Sequence, residues 1–322
     1  MNSTPMFIPS EFSSEWSYWH LVLTQIGNTA AIILNMFLIL IYCMSKDLYN
    51  SFTNSLFASL ALIDAITASF FIYKSAIESF VTPPNGLLGE LYCRLIYTTY
   101  LMWASIASSW YHIIAITLDR YIAVAFAHNY DAFQKSKKTL RVLLTLCYCL
   151  GALSLLPNVW TSTSTNNNRC LNLMPSWSFT QRFLFFINSV VFVVFVTICI
   201  GIMYTTIIYK VLSNSNKRKN VSAQQKRATT ICIVLVAEFV ICSYPNMVYF
   251  AVFLLEKLFD LNFGLSLDSY VYWTSVQLVN SSSLLNPVIY MIQSARFQKC
   301  AKSVLKEAAH SIFFSKFRKS AS

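Results

Sequence analysis

An all-α bundle of seven membrane-spanning helices is the fold class this sequence predicts, and three observations predict it. Of the 322 residues, 56 % are hydrophobic and only 11 % charged, against about a quarter charged in soluble domains. Five long stretches contain no Lys, Arg, Asp or Glu: residues 16–45, 95–118, 142–168, 183–209 and 269–295. Two further apolar segments, Phe52 to Tyr73 and Ala228 to Leu255, each hold a single interior acid, Asp64 and Glu238. A spanning helix needs roughly 20 mostly apolar residues, so each segment supplies one span. A soluble protein with seven buried helices would keep a polar face on most of them, and these segments mostly lack one.

The loops fix the expected orientation. Lys46 follows span 1, Arg120 to Arg141 carries the bases after span 3, and Lys210 to Arg227 carries those after span 5. Together with the tail from Arg296 to Lys319 they hold most of the basic residues, and only Lys74, Arg94, Arg169, Arg182 and Lys257 fall on the opposite side. The excess of bases marks the cytoplasmic side, so the tail is expected inside and the N-terminus outside. Three parts follow: residues 1–19 as an extracellular N-terminus, 20–294 as the seven-span domain, and 295–322 as a cytoplasmic helix and tail. The net charge of +11 reads as attraction to inner-leaflet lipid rather than to nucleic acid. Trp16, Tyr18 and Trp19 suit an outer interfacial belt. No basic region followed by an apolar run opens the chain, so span 1 is expected to act as its own insertion signal. Asn2-Ser3-Thr4 is a glycosylation sequon on the expected outer side.

Cysteines add a restraint. Seven of the nine fall in spans or the tail, leaving Cys93 at the outer start of span 3 and Cys170 in the loop after span 4. An oxidising exterior favours one disulfide between them over two free thiols. Beyond span 7, Phe297, Ala301, Val304, Leu305 and Ala308 recur at helical spacing with Lys299, Lys302 and Lys306 between them. That pattern predicts an amphipathic helix along the inner leaflet, with Cys300 placed for palmitoylation.

Ionisable groups at membrane depth mark function or a pairing network. Asp64 in span 2 can face Ser109 in span 3 and Ser282, Ser283 and Asn286 in span 7. This set of hard oxygens suits a sodium ion or, equally, a hydrogen-bonded water network. Glu238 has no base in its own helix and is open to a neutral, hydrogen-bonding role. Lys74 either pairs with Glu78 one turn along or, about 15 Å above Asp64, faces an anionic ligand group. The four histidines are scattered and form no metal-ligand spacing, so no enzyme chemistry is expected.

Asp119-Arg120-Tyr121 closes span 3 and Asn286-Pro287-Val288-Ile289-Tyr290 closes span 7. With seven spans and the Cys93/Cys170 pair, the chain resembles the rhodopsin-like family of G-protein-coupled receptors from about residue 20 to 308. "SLALID" (59–64) is similar to that family's span 2 motif. Asn35, Tyr204, Phe239, Pro245 and Phe297 stand where the family has its span 1 asparagine, span 5 tyrosine, span 6 aromatic, kink proline and juxtamembrane phenylalanine. The resemblance implies that Asp119 restrains Arg120 at rest, and that on activation Arg120 turns toward Tyr204, Tyr290 and a heterotrimeric G protein.

The chain also departs from the family. Ser243-Tyr244-Pro245 replaces the span 6 Trp-x-Pro, leaving Tyr244 or Phe239 to share the tryptophan's role. Val196 stands for the span 5 proline, Cys147 or Tyr148 for the span 4 tryptophan, and Ala127-His128 for the inner-loop Pro-Leu. Gln225 replaces an acid that locks span 6 in some members. The stretch from Cys93 to Arg120 is longer than usual. No aspartate lies in upper span 3 and no lysine in span 7, so the resemblance excludes amine and retinal ligands. An extracellular peptide or a small chemosensory molecule remains. By depth alone the pocket candidates are Lys74, Tyr97, Tyr100, Trp103, Asn188, Tyr244, Asn246, Tyr249, Tyr272, Gln277 and Asn280. The competing classes are a non-signalling seven-helix scaffold and a transporter. The latter would show paired repeats or broken helices, which are not seen.

Overall fold

The structure, a computed structural model, describes residues 14–126, 128–165, 169–173, 177–215, 223–267 and 269–306. Seven long helices form the bundle: α1 (Ser14–Met44), α3 (Phe52–Ile72), α5 (Tyr100–Ala125), α7 (Lys137–Ser154), α8 (Phe179–Ser215), α9 (Ala223–Phe259) and α10 (Tyr270–Gln293). Short helices α2 (Lys46–Tyr49), α4 (Gly86–Tyr92) and α6 (Tyr130–Lys135) sit in the connections, and α11 runs over 295–306. A two-stranded antiparallel hairpin, β1 (Ser162–Ser164) with β2 (Cys170–Asn172), follows α7 and is the small exception to the all-α expectation.

Helix α5 is the axle, packing against α3, α7, α8 and α9. Large apolar side chains on the outer faces, such as Ile33, Val191 and Ile241, stay exposed. That is ordinary for helices in lipid, where close packing and polar contacts rather than water exclusion join helices. Gly151 of α7 shows the first of these. A β-carbon there would lie 2.6 Å from the Ser108 backbone nitrogen of α5, so only glycine lets the two backbones approach so closely.

Six of the long helices are apolar enough to cross a membrane by length and composition. The seventh, α10, is free of charge but not strongly apolar, and its Ser275, Asn280, Ser282, Ser283 and Asn286 are all buried. Its polarity is therefore turned into the bundle, against α1, α3 and α9.

The extra length before Arg120 has a structural account. Span 3 enters as α4, passes through a π-helical turn at Cys93–Tyr97, and breaks at Thr99 before α5 begins. A wider π turn takes up an added residue without losing the helix. Thr99 has φ +60°, a left-handed conformation that a β-branched residue adopts only under tertiary restraint. The Thr98 hydroxyl helps hold this corner by donating to the Arg94 carbonyl at 2.6 Å and accepting from the Tyr100 N–H at 3.3 Å.

In α11, Phe297 and Ala301 are buried as the spacing predicts, and Phe297 meets Tyr290 and Phe37 edge-on. Leu305 is 53 % exposed, as an apolar side chain turned toward a leaflet would be. Ala308, Asn2 and the pairing of Gln225 fall outside what is described, as do the side chains of Trp16, Tyr18 and Trp19.

Candidate functional site

At the end of α5 the polar side chains form a closed cluster. Asp119 is fully buried and pairs with its neighbour Arg120, whose Nε donates to Oδ2 at 3.0 Å. The Thr53 hydroxyl of α3 donates to the same oxygen at 2.8 Å and accepts from Arg120 Nη2 at 2.9 Å. Tyr130 of α6 completes the set. Its hydroxyl accepts from Arg120 Nη2 at 2.5 Å and donates to Asp119 Oδ1 at 3.2 Å. Burial pushes that hydroxyl up to about 12, so it remains a proton donor. The sequence expectation held the Asp119–Arg120 pair but missed Thr53 and Tyr130, which no motif marks.

The remaining switch candidates stand apart from this cluster. The Tyr290 hydroxyl donates to Asn54 Oδ1 at 3.1 Å, and its ring lies 4.3 Å from that of Phe57. Tyr204 is half-buried against the core. Tyr121 meets Phe126 edge-on. Pro287 sits inside α10, where its missing N–H interrupts the helix ladder.

Beside Arg120 a cavity of about 1790 Å³ opens among the ends of α1, α3, α7 and α11, with Lys46, Lys137, Arg141 and Lys299 among its lining residues.

In mid-bundle, Asp64 accepts from the Ser109 hydroxyl at 2.8 Å and from Asn286 Nδ2 at 2.9 Å. Asn35 ties α1 to α10 by donating to the Ser283 carbonyl at 2.8 Å. Ser282 lies beside Glu238 rather than on Asp64. The structure thus brings Asp64, Ser109 and Asn286 together directly. Ser283 joins through its backbone, and Ser282 through Glu238.

The aromatic departures are also resolved. Phe239 is fully buried and meets Trp110 of α5 and Tyr244 edge-on, while Trp110 stacks on Phe192 of α8. Ser243 is fully buried, and the aromatic cluster of Phe239, Tyr244, Trp110 and Phe192 draws on three helices. Trp110 was not singled out by sequence because an aromatic on a core face has no distinctive spacing. Tyr148, not Cys147, presents its ring and hydroxyl toward α3 and α5. It donates to or accepts from Ser59 at 2.7 Å and packs edge-on against His112. His112 in turn bonds Ser59 through Nε2 at 2.9 Å and the Ser108 carbonyl through Nδ1 at 2.7 Å.

At the other end of the bundle, Cys93 and Cys170 form a disulfide with Cα atoms 5.4 Å apart. Glu90 of α4 accepts the Ser164 N–H at 2.8 Å and the Thr163 hydroxyl at 3.0 Å, joining the hairpin to the same corner. Several depth-chosen pocket candidates are committed between helices. Tyr100 and Asn188 both bond carbonyls of α7, those of Ala152 and Ser154. Tyr244 reaches Thr197, Asn246 reaches Ser275, and the Tyr249 hydroxyl bonds the Ser266 carbonyl. The Lys74 ammonium is paired with Glu78, donates to the Tyr97 carbonyl at 3.2 Å and lies over the Tyr97 ring. Trp103 and Gln277 are half-buried, and Asn280 keeps a buried Oδ1 without a partner.

The pattern that defines the 7 transmembrane receptor (rhodopsin family) matches residues 34–290, from the Asn35 region through Tyr290. This chain belongs to the rhodopsin family of seven-transmembrane receptors. It is a multi-pass membrane protein and a G-protein-coupled receptor by membership. The B2 bradykinin receptor of Rattus norvegicus is 24 % identical to it over 285 residues, spanning 84 % of this chain and 69 % of that protein. Receptors of this kind work through an extracellular ligand and a G protein rather than by catalysis. The cluster at Arg120, the polar centre at Asp64 and the stapled corner at Cys93 are how this rhodopsin-family receptor builds its three levels.

Proposed function

We propose that this receptor lies in the plasma membrane with its N-terminus outside and its tail in the cytoplasm, and that ligand binding releases Arg120 to activate a heterotrimeric G protein. The observation that carries this reading is the closed cluster of Asp119, Arg120, Thr53 and Tyr130 at the end of α5. A guanidinium held there, with tyrosines on α8 and α10 as alternative partners, is a two-position element that a ligand can bias. The basic residues around that end support the orientation, through attraction to anionic inner-leaflet lipid.

The ligand is a peptide or a small chemosensory molecule entering at the Cys93 end, where Trp103, Gln277 and Asn280 are pocket candidates that make no hydrogen bond to another helix among the described residues. Asp64, Ser109 and Asn286 hold a sodium ion. Hard oxygens suit that cation, and the buried Asn286 Oδ1 is an acceptor without a partner.

The test is G-protein activation in cell membranes with pools of peptides and small molecules, comparing the natural receptor with Arg120→Ala at matched surface levels. The expected outcome is a ligand-evoked signal that falls to background in the variant. An equal signal from the variant would remove the switch. Ser243, standing where the family has a tryptophan, favours one competing reading, a non-signalling scaffold. Silence across all G-protein classes and pools would move the assignment there.

A further inference from the structure

Among the described residues, two carboxyl side chains, Asp64 and Glu238, are buried in mid-bundle, and their hydrogen bonding differs. Asp64 takes one donor on each oxygen, from Ser109 and Asn286. Glu238 of α9 is only 7 % exposed. Ser282 of α10 and Cys242, one turn along α9, are the polar side chains within reach of its carboxyl, but neither makes a well-aligned hydrogen bond to its oxygens. Glu238 is also near enough to Asp64 for the two carboxylates to repel. Asn286 has committed its amide donor to Asp64, and its own Oδ1 is buried and without a partner. Three acceptor oxygens on two helices, the two of Glu238 and that of Asn286, are thus buried without a donor.

Among the described residues no ion pair reaches them. Lys74 is paired with Glu78, Arg120 is paired with Asp119, and His112 is turned to Ser59 and Ser108. An unpaired buried carboxylate costs several kcal/mol, and at membrane depth such groups persist where something compensates them. A hydroxyl donor would satisfy one lone pair and leave the charge. A small hard cation satisfies oxygen lone pairs and charge together.

We propose that Glu238 is a second carboxylate ligand of the cation held at Asp64, so that one ion ties α9 to α3 and α10. The inference rests on the sodium reading of Asp64 given above and adds the residue that reading lacks. Family resemblance alone gives no reason for an acid one residue before Phe239. Its consequence is mechanical, since the ion then loads the same helix that carries Phe239 and Pro245.

The experiment is thermal unfolding of the purified full chain in detergent, titrated with sodium chloride against choline chloride at constant ionic strength. A cation that binds only the folded state raises the midpoint saturably. Glu238→Gln is expected to raise the half-saturating sodium concentration by about tenfold or more, the scale of losing one charged ligand. Glu238→Asp keeps the charge with a shorter reach and is expected to fall between. Asp64→Asn is expected to abolish the response. A wild-type sodium response in Glu238→Gln, with Asp64→Asn flat, would overturn the role of Glu238 and leave the Asp64 site standing. If Glu238→Gln does not fold, unchanged half-saturation in Glu238→Asp overturns it equally. A natural receptor that responds to sodium no more than to choline removes both readings.

Discussion

The two ends of α5 are held in opposite ways. At the Cys93 end the restraint is covalent and layered: a disulfide, a carboxylate on the hairpin, and a left-handed corner at Thr99. At the Arg120 end the restraint is a set of hydroxyl and ion-pair contacts in which Thr53 and Tyr130 each bond both Asp119 and Arg120. A disulfide breaks only by chemistry, whereas a hydrogen-bonded ion pair exchanges partners thermally. One end of the axle is therefore held by a covalent bond and the other by exchangeable contacts, the difference on which the proposed switch rests.

Removing the fixed end should have the largest effect. Cys170→Ser opens a crosslink between residues 77 apart, and losing a native disulfide typically costs about 2–5 kcal/mol. Lower surface expression and a lower unfolding midpoint are expected, and a fully expressed, equally stable variant would break the comparison. A smaller effect is expected at the releasable end. Tyr130→Phe takes a hydroxyl from both Arg120 and Asp119, and a lost bond to a charged group is worth about 1–3 kcal/mol. Basal G-protein activation should rise several-fold at unchanged expression, and unchanged basal signalling would mean that Tyr130 does not restrain the arginine.

The smallest effect is expected from Glu90. Hydrogen bonding from the Ser164 backbone N–H, and then from Arg94 and Thr163, holds its carboxyl below the ordinary value of 4.5. A carboxyl lowered on folding stabilises the fold above its ordinary value and loses that contribution as pH falls through the lowered one. The difference in unfolding midpoint between the natural chain and Glu90→Gln should be present at neutral pH and shrink toward zero in acid. A difference that is independent of pH would show that Glu90 acts only through packing.

The sequence made the bundle legible through the length of its charge-free stretches, and it marked Asp64, Asp119, Arg120 and Asn286 through motifs. It placed pocket residues poorly, because depth along a helix says nothing about rotation. Tyr100 and Asn188 turned to α7 and Tyr249 to the loop before α10. It also missed partners that meet across elements. Thr53 and Tyr130 reach Arg120 from α3 and α6, and neither lies within helical spacing of it. Trp110 packs on Phe239 and Phe192 from a position no motif marked, whereas Tyr148 lies at one of the two positions expected to replace the span 4 tryptophan.

What the sequence determined by itself was therefore the number of spans, the expected facing of their ends and the cysteines available for pairing. Those properties follow from local composition, because lipid accepts only segments whose own backbone is satisfied and whose side chains are apolar. Tertiary structure decided which polar groups close on one another and which stay open. The Arg120 cluster is complete and the oxygens of Glu238 are not, although both are charged groups at the edge or in the middle of an apolar helix. The physical reason is that hydrogen bonding is directional and short-ranged, so satisfaction depends on how neighbouring helices are rotated about their axes.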